Sequence, residues 1–171
     1  MTTVTPSLGR SGWRWLPLVL LVIVADQLSK GWIEANYLLG ESTAVLPWLD
    51  IVRLHNPGAA FSFLAGAGGW QRWLFTVLAL GVSVVLLWWL RSVHEAAERR
   101  LALALSLILA GAIGNVIDRI EHGYVVDFIH VHWGNSNPAF NIADAAITVG
   151  AALMIFDAFL EWRRERAGGG A

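Results

Sequence analysis

The chain has no cysteine. That absence excludes disulfide staples, thiolate metal sites and a cysteine nucleophile. Charge is scarce too, at 15% of residues against 56% hydrophobic. A soluble domain of this size needs far more charge to cover its surface. The net charge is −1, so no basic surface exists to neutralise phosphates, and a nucleic-acid partner is excluded. No G-x-S-x-G occurs, which leaves a serine-hydrolase elbow without support. There is no internal repeat and no low-complexity tract. What the chain does have is long apolar runs, a mean hydropathy of +0.56 and ten Trp. Indole rings suit a bilayer interface. The composition reads as an all-α polytopic membrane protein, one domain over 1–171.

About 20 mostly apolar residues span a bilayer, and four windows qualify: 15–33, 73–90, 101–120 and 142–160. No small-x-small cleavage site follows the first run, and "ADQLSKGW" continues its helical pattern, so it reads as a retained helix and not a cleaved signal peptide. Arg10, Arg14, Arg91, Arg99, Arg100, Arg163, Arg164 and Arg166 fall at the termini and in the second-to-third connection. Arg53, Arg72 and Arg119 fall elsewhere. The positive-inside rule therefore predicts both termini in the cytoplasm, with outer loops at about 34–72 and 121–141. Within the first loop "AVLPWLDIVRL" predicts a short strand pair around Pro47, and "AGAGGW" predicts a flexible turn.

This topology gathers polar residues from distant parts of the chain at one depth: Asp26, Lys30, Asn115, Asp118, Arg119, Asp127, Asn141 and Asp144, with Asn56 and Gly58 in the outer loop. Each has a structural reading. Asp26 and Lys30, spaced i,i+4, can simply pair. Arg119 can hold a loop or the neighbouring Asp118. Asn141 can cap the fourth span or orient a carboxylate. Gly111 and Gly114 in "GAIGN" point to close helix packing in lipid.

Asp127 and Asp144 are harder to explain structurally, because neither has a Lys or Arg one helical turn away. Two carboxylates brought together outside water cannot both ionise easily, which yields an acid/base pair able to act on water and a peptide bond. The helix N-terminus favours the ionised form of Asp144. From this chemistry alone, proteolysis and proton transport stay equally open. A transporter needs polar groups continuing across the membrane, however, and the second span offers only Thr76 and Ser83, while Asp157 stands alone at its level. A non-catalytic lipid or lipoprotein binder would not need both carboxylates. His130 and His132, spaced i,i+2, share one face of a strand and with Asp127 form a conceivable zinc set. That set matches no recognised spacing, so no metal or other cofactor is expected.

Five blocks, "DQLSK" (26–30), "NPGAAF" (56–61), "AGAIGNVIDR" (110–119), "VVDF" (125–128) and "FNIAD" (140–144), together resemble the bacterial lipoprotein signal peptidase, or signal peptidase II, family in order and across all four spans. The resemblance implies an intramembrane aspartic endopeptidase of the bacterial inner membrane. It would cut diacylglyceryl-modified prolipoproteins just before the lipidated lipobox cysteine, near the outer face. It implies Asp127 and Asp144 as the catalytic pair, with Asp26, Lys30, Asn56, Gly58, Asn115, Arg119 and Asn141 in support. It also implies a small β-cradle and a surface helix in the outer loops. The partners implied are these substrates and membrane lipids, and nothing demands more than a monomer. One departure is Ala110, where the family usually has glycine.

Overall fold

The computed structural model describes residues 11–58, 69–93, 98–132, 134 and 137–168. A 3-10 turn, Gly12–Trp15, leads into α1 (Leu16–Asn36); β1 (Ser42–Leu46) and β2 (Leu49–Asn56) follow. Then come α2 (Trp70–Ser92), α3 (Arg99–Glu121), β3 (Val125–Val131), β4 (Ala139–Phe140) and α4 (Ile142–Gly168). Four helices are long and apolar enough to cross a membrane. The strand pair forms where expected. The "AGAGGW" turn lies mostly outside the described residues, as does the end of "NPGAAF". The outer loops show no surface helix among the described residues.

α3 is the hub. Two thirds of its apolar window is buried, whereas the lipid-facing windows of α1, α2 and α4 are each less than a quarter buried. Small residues explain this. A Cβ on Gly111 would collide with the Ala143 carbonyl oxygen, and one on Gly150 would lie 2.7 Å from the Ala104 carbonyl oxygen. α3 and α4 therefore touch backbone to backbone, as small residues allow in lipid. Ala110 is buried in the cluster of Val19, Leu86, Leu90, Leu105 and Leu109. At the far end of the bundle Arg100 Nε meets Asp157 Oδ1 at 2.6 Å.

The four strands make one antiparallel sheet in the order β1-β2-β3-β4. It seats on the end of α1, where Val126 and Phe128 pack with Ile33. Arg53 fixes the join by donating to the carbonyls of Glu34 and Tyr37, each at 3.1 Å. Arg72 does the same for α3, donating to the Ile120 carbonyl at 2.6 Å. Both cations thus satisfy helix C-terminal carbonyls that lack intrahelical partners. A β-bulge between Ile51 and Leu54 shifts the β2–β3 register by one residue.

Candidate active site

Asn141 organises the site. It precedes α4, and its Oδ1 accepts the Asp144 N–H at 2.9 Å while Asp144 Oδ2 accepts the Asn141 N–H at 3.3 Å. This reciprocal cap satisfies two helix N–H groups and fixes the Asp144 rotamer. The other end of the same amide, Nδ2, donates to Asp127 Oδ1 at 2.9 Å and to the Val126 carbonyl at 3.2 Å. One buried residue therefore touches both carboxylates, Asp127 through its side-chain amide and Asp144 through its backbone N–H, and β4, paired to β3 through Phe140 and Ile129, holds it in place.

Each aspartate has a second amide donor. Asn56 Nδ2 reaches Asp127 Oδ2 at 3.0 Å, and Asn115 Nδ2 reaches Asp144 Oδ1 at 2.8 Å. Gly58 aims Asn56: its N–H donates to Asn56 Oδ1 at 3.0 Å, leaving the NH2 free to turn toward Asp127. Its φ of +95° lies in the left-handed region, and a Cβ there would lie 2.7 Å from the Phe75 ring, so glycine is required. Burial and the neighbouring Asp144 charge push the Asp127 carboxyl up to about 7, against the opposing hydrogen bonds of Asn56 and Asn141 and the Lys30 charge. Desolvation wins.

Behind this pair lies a buried ionic cluster. Lys30 Nζ sits 2.8 Å from Asp26 Oδ2 and 2.9 Å from Asp118 Oδ2, and it donates to Asn115 Oδ1 at 3.3 Å. Asp26 Oδ1 accepts the Ala143 N–H at 2.9 Å, and Asp118 Oδ2 accepts the Val126 N–H at 3.0 Å. The cluster thus ties α1, α3, α4 and β3 together around the Asn115 amide. Arg119 does not bond Asp118. Its Nη1 donates to the Asn115 carbonyl at 3.2 Å, and its guanidinium lies 5.7 Å from the Phe75 ring centroid. The carboxylate is already occupied by Lys30 and by Gln27, whose Nε2 lies 2.9 Å from Asp118 Oδ1. Asp118 and Gln27 belong to the supporting network beyond the candidate set. Asp118 already stands among the polar residues that the sequence gathers at this depth, whereas Gln27 lies within the "DQLSK" block without being singled out.

Asp144, Asn115 and Arg119 open onto a groove of about 360 Å³ floored by Phe75, Leu78, Val82, Ile108, Ala112 and Ile147. Asp144 faces it, whereas Asp127 is buried beneath. Thr76, Ser83 and Ser106 donate to carbonyls of their own helices at 2.7 Å and Thr148 does so at 2.8 Å, so none of these hydroxyls links the site to Asp157. Asp127 also parts from the two histidines. Side chains alternate along β3, which puts His130 and His132 on the opposite face, where their acidic neighbour is Asp50.

The sequence profile of "Signal peptidase (SPase) II" matches residues 18–160. A lipoprotein signal peptidase of Shewanella woodyi is 57% identical over 148 residues, covering 86% of this chain and 84% of the relative. One from Shewanella oneidensis is 53% identical over 157 residues, covering 91% and 92%. A bacterial membrane enzyme solved in meso at 2.3 Å superposes with a TM-score of 0.78 at 31% identity, over 88% of this chain and 90% of that one. A second, solved in meso at 1.9 Å, gives a TM-score of 0.75 at 29% identity, over 89% and 97%. With the described parts of the expected blocks brought together at one end of four apolar helices, the chain belongs to the signal peptidase II family.

Proposed function

We propose that this protein is an intramembrane aspartic endopeptidase that removes signal peptides from diacylglyceryl-modified prolipoproteins, with Asp127 and Asp144 as its acid/base pair. Membership of the family supports a protease of the bacterial inner membrane. The observation that carries the aspartic assignment is that Asn141 contacts both carboxylates, that of Asp127 with its side-chain NH2 and that of Asp144 with its backbone N–H. The arginine distribution supports cytoplasmic termini, and with them a site at the outer end of the helices.

The two carboxyls differ in a way that suits the chemistry. Asp127 is buried and keeps a proton to about pH 7. Asp144 faces the groove, where a water can reach it, and takes the Asn115 amide from the first turn of α4. Asp144 is then the base that takes a proton from the attacking water. Asp127 is the acid that protonates the carbonyl oxygen or the leaving amine. The apolar floor of the groove accepts the signal-peptide helix, and its lipid side leaves room for acyl chains. Asn56 and Asn115 hold the pair, Asn141 sets their spacing, and the Lys30 cluster fixes Asn115.

The test is cleavage of a diacylglyceryl-modified prolipoprotein by purified wild type, Asp127→Asn and Asp144→Asn, with a chelator control. Either exchange abolishes cleavage while substrate still binds, and the chelator has no effect. Cleavage surviving both exchanges would end the aspartic reading.

A further inference from the structure

We propose that Asp50, His130 and His132 form a binding site for a divalent transition-metal ion on the face of the sheet opposite Asp127, with zinc as its reference ligand. Asp50 and His130 are direct cross-strand partners, so their side chains share a face. His132 lies two residues beyond His130 and joins that face. Its position is fixed by its own N–H, which donates to the Trp48 carbonyl at 2.9 Å.

The three donor groups already converge. His132 Nε2 is 2.8 Å from Asp50 Oδ2, His130 Nδ1 is 3.8 Å from the same oxygen, and all three ligand atoms lie within 4.8 Å of one another. The imidazole rings stand 4.6 Å apart at 69°, edge to face, so their nitrogens can address one point. Tetrahedral zinc with nitrogen and oxygen ligands at ~2.0–2.2 Å needs ligand atoms roughly 3.3 Å apart. Small rotations of these partly exposed rings reach that spacing. Ser42 Oγ, 3.3 Å from Asp50 Oδ2, orients the carboxylate from outside the set, the kind of outer contact that fixes a metal ligand. Two imidazoles and a carboxylate leave a fourth position open to water. What the ion displaces at Asp50 is a surface contact with His132, of a kind worth little in water; His132 also has a side-chain hydrogen bond with Asn137.

The ion would clamp β2 to β3 on the far side of the bulge that presents Asn56 to Asp127. Its role is to stiffen the strands that carry the acid, with no part in the reaction itself. The test titrates zinc into untagged, metal-stripped protein in detergent, following heat of binding and the unfolding temperature by Trp fluorescence. One zinc per chain binds with a Kd on the order of 1 µM, and the unfolding temperature rises with metal. Asp50→Asn and His132→Ala each weaken binding at least about tenfold and remove the thermal shift. His122→Ala, at a histidine outside the set, changes neither. Absence of saturable binding, equal binding by the Asp50→Asn/His132→Ala double variant, or loss on His122→Ala would each overturn the site.

Discussion

Lys30 is almost completely buried between two carboxylates, and that arrangement sets the response of the whole site to substitution. Removing one partner of a buried ionic cluster leaves charge without compensation, which costs ~3–5 kcal/mol. Lys30→Met is therefore expected to lower the unfolding temperature in detergent sharply; an unchanged temperature would mean that the cluster does not hold the helices. Asp127 shows the opposite balance. Its carboxyl is raised from 3.8 to about 7, so the folded protein binds this proton more tightly than the unfolded chain. The stability linked to it is complete below pH ~4 and is lost as pH rises through about 7, up to ~4 kcal/mol for a shift of this size. Asp127→Asn removes that loss, so at pH 8 this variant unfolds at a higher temperature than wild type. In the proposed mechanism the same proton governs activity. kcat/KM falls as pH rises through about 7, because the acid ionises. Asn56→Ala deletes a donor that favours the ionised form, so the alkaline limb of the surviving activity moves to higher pH. A limb that stays in place or moves down would assign that titration to another group.

Among the elements, the contact between α3 and α4 sets the distance between Asn115 and Asp144. Gly111→Ala drives a methyl group into the Ala143 carbonyl and toward Ile147 Cγ1, 2.7 Å away. The backbone cannot yield as a flexible side chain would, so the helices separate, at ~1–3 kcal/mol. Cleavage falls further than stability, because the Asn115–Asp144 hydrogen bond stretches; parallel losses would make Gly111 purely structural. The close packing was readable from "GAIGN", and hydropathy located the four spans. Their ends were less readable. α1 runs on through Glu34–Asn36, and α4 continues through the arginine-rich tail to Gly168. Hydropathy reports the bilayer, whereas a helix continues as long as its backbone hydrogen bonds do. The cap at Asn141 was local and therefore visible. The bulge between Ile51 and Leu54 was not, since "LDIVRLHN" alternates too weakly to betray a shift. That shift reverses which face a residue occupies. It turns Asn56 toward Asp127 and leaves Asp50 with the histidines, an outcome that residue spacing alone could not foretell.

At the scale of the molecule, the groove between α2, α3 and α4 decides what can reach Asp144. Val82 lines it from α2 and is 42% exposed, so its side chain makes little of the protein's own core. Val84, two residues on, is 68% exposed but turned away from the groove. Both positions would face lipid, which solvates an added indole as readily as a valine. Tryptophan at either position is therefore expected to leave the unfolding temperature unchanged. In the proposed mechanism their effects on catalysis diverge, because only Val82→Trp fills the groove assigned to the signal-peptide helix. It raises KM for the lipid-modified substrate by about tenfold, or ~1.4 kcal/mol of lost binding, while kcat stays near wild type, since no group at the aspartic pair has moved. Val84→Trp leaves both constants unchanged. Equal effects from the two would place the substrate on the outer surface of α2 and not in the groove. A fall in kcat alone from Val82→Trp would show that the indole reaches the aspartic pair itself.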